Sequence, residues 1–264
     1  MSISIDIIKQ LREITMAPLG DCKKVLEETH GDIEQAKELL RQRGIAKASK
    51  KGDRETHNGI VLFSQHNGSI VGIKVLCETD FVAKNETFIA LVRSLLEMIK
   101  QSSIEGVYTD NTIDLFAYLQ TKLDENVATI GERLVLGLVY KKTGQGYAYN
   151  HMGNLLSSVV FYEGGNEELA KAVALQVAAM NPSYRDFASI PSHLVEQRKQ
   201  QFLEELVNDP KPLDIKEKII QGKLRKFFQD DVLLDQLSIK DQTKTVAELI
   251  GGMKVISYER FSIG

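Results

Sequence analysis

The sequence is poor in the residues that usually announce chemistry. Its two cysteines, Cys22 and Cys77, lie far apart, with no C-x-x-C pair and no histidine at zinc spacing. Nothing there supports a disulfide framework or a structural zinc site, and both are read as reduced structural thiols of a cytoplasmic protein. His30, His57, His66 and His193 show no ligand spacing. No Walker or dinucleotide glycine pattern is present, and Cys77 with Asp80 and distant histidines forms no nucleophile motif, so an enzyme is not expected and no cofactor is called for. No apolar run approaches the roughly 20 residues that a membrane-spanning helix needs. The first residues, Met1-Ser2-Ile3-Ser4-Ile5-Asp6, lack the basic start and the unbroken apolar stretch of a secretory signal. The two signs of charge also nearly cancel: a formal net charge of −3 leaves no global attraction to nucleic acid or to anionic membranes.

What is present is enough apolar material for a sizeable core, 43% of 264 residues, in one or two compact domains with smaller modules. Residues 1–44 read as three short helices. Ile7, Ile8, Leu11 and Ile14 mark the core face of the first, Asp21 opens the second, Asp32 with Gln35 resembles a capping box without the hydroxyl, and Gly44 supplies a stop. Val25, Leu26, Ile33, Ala36 and Leu40 form the thin core of this bundle. Residues 45–58 are polar, carry Lys47, Lys50, Lys51 and Arg54 without apolar periodicity, and read as a basic tether; no aromatic is interleaved for base stacking.

From Gly59 to Ile99 the chain reads as strand, Asn67-Gly68 turn, the strand Ile70–Cys77, a corner, and a helix with Phe88, Leu91, Val92, Leu95, Leu96 and Ile99 on one face. A similar order recurs from Tyr147 to Met180, with His151-Met152-Gly153-Asn154 as the turn and Gly164-Gly165-Asn166 before the helix, which predicts two related α+β halves at 59–140 and 141–264. Residues 111–122 read as helical or polar, and 130–139 as a strand. Leu194–Leu206 and Ile215–Phe228 are two helical stretches separated by Asn208-Asp209-Pro210-Lys211-Pro212, which predicts an antiparallel helical hairpin at about 190–230.

The corner itself, Thr79-Asp80-Phe81-Val82-Ala83-Lys84-Asn85, is the most informative stretch. Either Thr79 or Asp80 caps the helix and Phe81 folds back as a staple, or Phe81 stands out beside a carboxylate to touch a partner. This heptapeptide resembles the signature of bacterial elongation factor Ts, the nucleotide exchange factor for elongation factor Tu. Further blocks resemble the same family in the same order: Leu11-Arg12-Glu13, Asp21 to Leu26, Gly31 to Ala36, Ile130-Gly131-Glu132-Arg133, Tyr149-Asn150-His151, Leu175 to Pro182 and Val255 to Phe261. The resemblance covers nearly the whole chain.

The resemblance implies an α+β fold with a ubiquitin-associated-like three-helix module at the N-terminus, a two-subdomain core and a protruding helical arm. It implies a translation factor that binds elongation factor Tu and promotes GDP release, with Thr79, Asp80, Phe81 and Val82 displacing Mg²⁺ from the partner indirectly. Partner contacts would fall at Asp80, Phe81 and His151, and at Met16 and Leu19, in a loop that reads Thr15-Met16-Ala17-Pro18-Leu19-Gly20 where the family usually has Thr-Gly-Ala-Gly-Met-Met. No membrane and no direct nucleic acid is expected as a partner; a homodimer or a two-to-two complex stays open. The competing reading is a non-catalytic scaffold or RNA-binding protein resting on the N-terminal bundle, the basic tether and the helical arm.

Overall fold

The computed structural model, which describes residues 3–15 and 17–264, mixes helices and strands in an α+β order, with three helices before the first strand. Two units emerge: the first runs to residue 143 and takes in 150–157 and 261–264, and the second comprises 144–149 and 158–260.

The first unit opens with α1 (Ile5–Thr15), α2 (Leu19–Glu28) and α3 (Ile33–Lys50), packed around Ile8, Leu11, Cys22, Val25, Leu26, Ala36 and Leu40. Asp32 caps α3 by accepting the Gln35 N–H at 2.9 Å. Ile14, read from spacing as a core residue, is half exposed, because it sits on the last turn of α1 at the rim of a groove. Gly44 does not stop α3, which continues to Lys50. Here the glycine serves close approach instead: a Cβ at Gly44 would run into the Glu125 carbonyl of α6 (Asp114–Ile130), so only glycine lets the two helices meet there. The first six residues of the expected basic tether are therefore helix. Three of its four cations are also engaged within the unit. Lys47 pairs with Asp21 at 3.2 Å, Lys51 donates to the Gly131 carbonyl and Arg54 pairs with Glu78 at 3.0 Å.

The sheet of this unit has the order β1-β2-β4-β3, with β1 Asn58–His66, β2 Ser69–Cys77, β3 Gly106–Tyr108 and β4 Val135–Thr143, and its strand pairings are antiparallel. Asn67 and Gly68 both take positive φ, 47° and 73°, the two-residue turn that matches the twist of a hairpin. One face of the sheet is covered by α6 and by α5 (Glu86–Gln101), whose Phe88, Val92, Leu95, Leu96 and Ile99 are buried. Each contributes about 1.5–3 kcal/mol by leaving water. Residues 130–133, expected to begin a strand, instead end α6: Gly131 adopts φ +89° as the helix C-cap, and β4 starts at Val135. The segment 150–157 is fastened to β1 by Asn150, whose amide accepts the Phe63 N–H at 2.8 Å and donates to the Phe63 carbonyl at 2.9 Å. The last residues return to the same unit, where Phe261 stacks on Phe63 with ring centroids 4.7 Å apart.

The second unit holds most of a three-stranded sheet of order β5-β6-β7, with β5 Gly146–Asn150, β6 Leu156–Glu163 and β7 Lys254–Ser262. Against it packs α7 (Glu167–Met180), capped by Asn166 and ended by Asn181 at φ +46° before Pro182. A second cluster joins Ile190, Ile220, Leu224, Phe228 and Val232. It seats α9 (Leu213–Phe228), which pairs with α8 (Ser192–Glu205) through Glu205 and Lys223 at 2.6 Å and through Phe202 against Phe227. Both helices start two residues earlier than their apolar spacing indicates, because Pro191 and Pro212 preset the entry. The short α10 (Val246–Ile250) carries a complete capping box between Thr245 and Glu248.

Candidate functional site

The corner between β2 and α5 is built from one tight turn of helix, α4 (Asp80–Ala83). Thr79 is its N-cap, the hydroxyl accepting the Val82 N–H at 3.4 Å, and Asn85 caps α5 by accepting the Thr87 N–H at 2.8 Å and the Phe88 N–H at 3.3 Å. Two caps within seven residues leave the backbone little choice of path. Ala83 is thereby buried and Val82 packs on the core, while Phe81 points away from it and is 81% exposed. The staple reading is therefore wrong for Phe81, although the capping role of Thr79 is correct. A phenylalanine held in water forgoes about 2 kcal/mol of burial.

Charge beside the ring is also arranged. The Asp80 carboxylate pairs with Lys84 one turn on at 2.7 Å, and that hydrogen bond holds its carboxyl below the usual carboxylate range. Asp80 is thus a fixed anion at neutral pH. Cys77 just before the corner is buried, donates its S–H to the Thr79 carbonyl at 3.2 Å, and has its pKa pushed up to about 12 by burial and then by the Glu132 charge. It is an inert thiol rather than a nucleophile.

Sequence reasoning missed what holds this corner from outside. Glu132, just past the Gly131 cap, accepts the Glu78 N–H at 3.0 Å, the Thr79 N–H at 2.9 Å and the Thr79 hydroxyl at 2.6 Å. Glu78 in turn accepts the Arg133 N–H at 2.7 Å and pairs with Arg54. In the sequence, Ile130-Gly131-Glu132-Arg133 stands out only as a block of resemblance; its glycine followed by a carboxylate is the signal that could have found the clamp.

The other predicted contact residues stand on separate elements. Leu19 is the first residue of α2 and 48% exposed, while the adjoining Ala17 is buried. Met16 lies outside the described residues. His151 is exposed in the connection between β5 and β6; its N–H donates to the Leu156 carbonyl at 2.8 Å and its carbonyl accepts the Asn154 N–H at 3.0 Å. Its neighbour Met152 is 87% exposed, an apolar side chain as open as Phe81. Among the described residues no group of three or more His, Cys, Asp or Glu is placed to hold a metal ion, and no helix is long and apolar enough to cross a membrane.

Comparison with known proteins gives this corner a context. Residues 78–264 match the family model described as Elongation factor TS, so the matched region takes in the whole corner. A Hydrogenobaculum protein named Elongation factor Ts is 36% identical over 277 residues, spanning the whole of both chains. A Nitratiruptor protein of the same name is 37% identical over 291 residues, spanning all of this chain and 94% of the relative. With a family match over most of its length and relatives matched from end to end, the chain belongs to the elongation factor Ts family.

Proposed function

We propose that the corner Thr79–Val82 is the working tip of this exchange factor and acts by wedging and charge rather than by covalent chemistry. As a family member the chain is a translation elongation factor that serves as nucleotide exchange factor for elongation factor Tu. An exchange factor must bind the nucleotide-free partner better than the nucleotide-bound one, and by linkage it then weakens nucleotide binding by the same ratio. GDP in a GTPase is held by phosphate contacts and by a Mg²⁺ ion that tolerates little distortion of its octahedral shell.

The observation that carries the reading is the exposed Phe81 on a doubly capped turn. Inserted between partner elements, its ring would bury a large apolar area and hold them apart. Asp80 brings a negative charge that can disturb the hydrogen bonds around the metal without ligating it. Thr79 fixes the turn and Val82 anchors it. In this reading the N-terminal three-helix bundle is a ubiquitin-associated-like docking module, with Met16 and Leu19 at its contact loop, and His151 adds a second contact. The α8–α9 pair is an antiparallel arm for partner or self contact. In this reading the protein works in the cytoplasm, with a homodimer or a two-to-two complex with its partner as the open assemblies.

The test is release of a fluorescent GDP analogue from the same organism's elongation factor Tu, with excess unlabelled nucleotide. Strong acceleration by the wild type that Phe81→Ala abolishes supports the wedge. Equal acceleration by the variant sinks the wedge, and no acceleration by a folded wild type returns the protein to the scaffold or RNA-binding reading.

A further inference from the structure

Phe81 is exposed, so packing does not aim it; the direction in which its side chain leaves the turn is set by the backbone. That backbone leaves the sheet at Cys77 and enters α4 at Asp80, and the N–H groups of Glu78 and Thr79 fall between the strand and the helix. Their partner is the Glu132 carboxylate, 53 and more residues away in sequence, which takes both N–H groups and the Thr79 hydroxyl. Bonds to an ionised carboxylate are about twice as strong as neutral ones. The Thr79 hydroxyl gives its proton to Glu132 and accepts the Val82 N–H, so a single chain of bonds runs from Glu132 through the cap into the turn that carries Phe81. The arrangement is reciprocal. The Glu78 carboxylate takes the Arg133 N–H and so pins the backbone from which Glu132 extends. Arg54, beyond the end of α3, braces the pair by its bond to Glu78, while the Arg133 guanidinium donates to the Arg54 carbonyl.

We propose that Glu132 is a positioning residue for nucleotide exchange: its carboxylate fixes the backbone of Glu78 and Thr79 and thereby the direction in which Asp80 and Phe81 are presented, with Glu78 and Arg54 as its braces. This rests on the exchange reading of the corner. A wedge must meet its target within a narrow range of angles, and a misplacement of about 1 Å can cost roughly a hundredfold in rate. Glu132→Ala removes all three acceptor contacts at once. Glu132→Gln keeps a carbonyl oxygen for the two N–H groups, and its amide nitrogen can donate to the Thr79 oxygen.

The experiment measures GDP-analogue release from elongation factor Tu across a range of factor concentrations for wild type, Phe81→Ala, Glu132→Ala, Glu132→Gln and the double variant Phe81→Ala with Glu132→Ala. In parallel, Phe81→Trp places one indole in a chain that has no tryptophan, and its fluorescence anisotropy is read with and without Glu132→Ala. The expected result is a maximal release rate lowered roughly ten- to hundredfold by Glu132→Ala, with a smaller change in the half-saturating concentration. Glu132→Gln should recover most of the rate, the double variant should be slower than Phe81→Ala by no more than the roughly threefold to tenfold that Asp80 supplies, and the indole should become more mobile when Glu132 is truncated. Wild-type rates in Glu132→Ala, a Glu132→Ala loss that adds in full to that of Phe81→Ala, or an unchanged anisotropy would each overturn the positioning role. If wild type itself fails to accelerate release, the exchange reading falls and this inference falls with it. If wild type and Phe81→Ala differ as read but Glu132→Ala does not, only the positioning role is lost.

Discussion

Two strand-to-helix corners, one in each unit, have the same place in the element order and opposite construction. In the first unit β2 passes into α5 through Glu78 to Asn85, with two side-chain caps, an interposed helical turn, an exposed phenylalanine and an external carboxylate clamp. In the second, β6 passes into α7 through Gly164, Gly165 and Asn166, with both glycines near φ +66° and one cap from Asn166 to the Leu169 N–H at 3.0 Å. Glycine lets the chain reverse cheaply but presents nothing. The first corner uses longer side chains and long-range bonds to hold an apolar ring in water, and that expense has no structural return. A connection is all the second corner needs to be, whereas in the proposed reading the first is built to meet a partner.

The sharpest way to break the comparison is to remove the ring. Phe81→Ala should lower exchange by roughly thirtyfold or more, the scale of losing an interface hot spot worth about 2 kcal/mol. Its melting temperature should stay near that of wild type, because the ring covers no core. A large fall in melting temperature would show that Phe81 is structural after all.

The second corner should respond in the opposite sense. A Cβ on Gly165 would lie 2.7 Å from the Met253 side chain and would have to tolerate φ +66°. Gly165→Ala should therefore cost about 2 kcal/mol of stability and lower Tm by a few degrees, with exchange by the remaining folded protein unchanged. Loss of exchange at full stability would mean that this corner too belongs to the working surface. A smaller effect is expected from Asp80→Asn, which keeps the shape of the turn but removes the anion. Exchange should fall by about threefold to tenfold, consistent with roughly 1 kcal/mol from one exposed charge. Unchanged release kinetics would restrict the tip to the ring alone.

Much of the first corner was legible because its signals are local. Thr79 is a capping residue at the right offset, Phe88 to Ile99 repeat at helical spacing, and Asn67-Gly68 specifies its own hairpin turn. The outward direction of Phe81 was not legible, since a staple and a tip have the same residues and only the tertiary path of the turn separates them. Nor was the part played by Glu132, whose partners lie far back in the sequence and leave no periodicity. Gly44 illustrates the same limit from the other side. Locally it reads as a stop, and only the Glu125 backbone passing beside it explains why the helix continues. At Gly131 the apolar run from Leu134 to Val139, read back as far as Ile130, hid a helix end, because one residue with φ +89° changes the chain's course without announcing itself in the hydrophobic pattern.

The smallest effect, and the most specific to the clamp, is one of pH. Burial works against ionisation of Glu78, but the Arg133 N–H and the Arg54 guanidinium outweigh it and hold the carboxyl below its ordinary value. A carboxylate whose folded pKa is depressed contributes stability that is present above the unfolded value, about 4.3, and is lost as pH falls through the folded one. Glu78→Gln should therefore melt below wild type at pH 7, and the gap should narrow as the pH is lowered from about 4.5 toward 3. Melting curves at closely spaced pH values read this directly. A gap of constant size down to pH 3 would mean that the Glu78 charge does not brace the corner, and that Glu132 holds it without that support. The second corner supplies the internal control: Gly164, Gly165 and the Asn166 cap carry no titrating side chain, so the Gly165→Ala deficit should stay level over the same range.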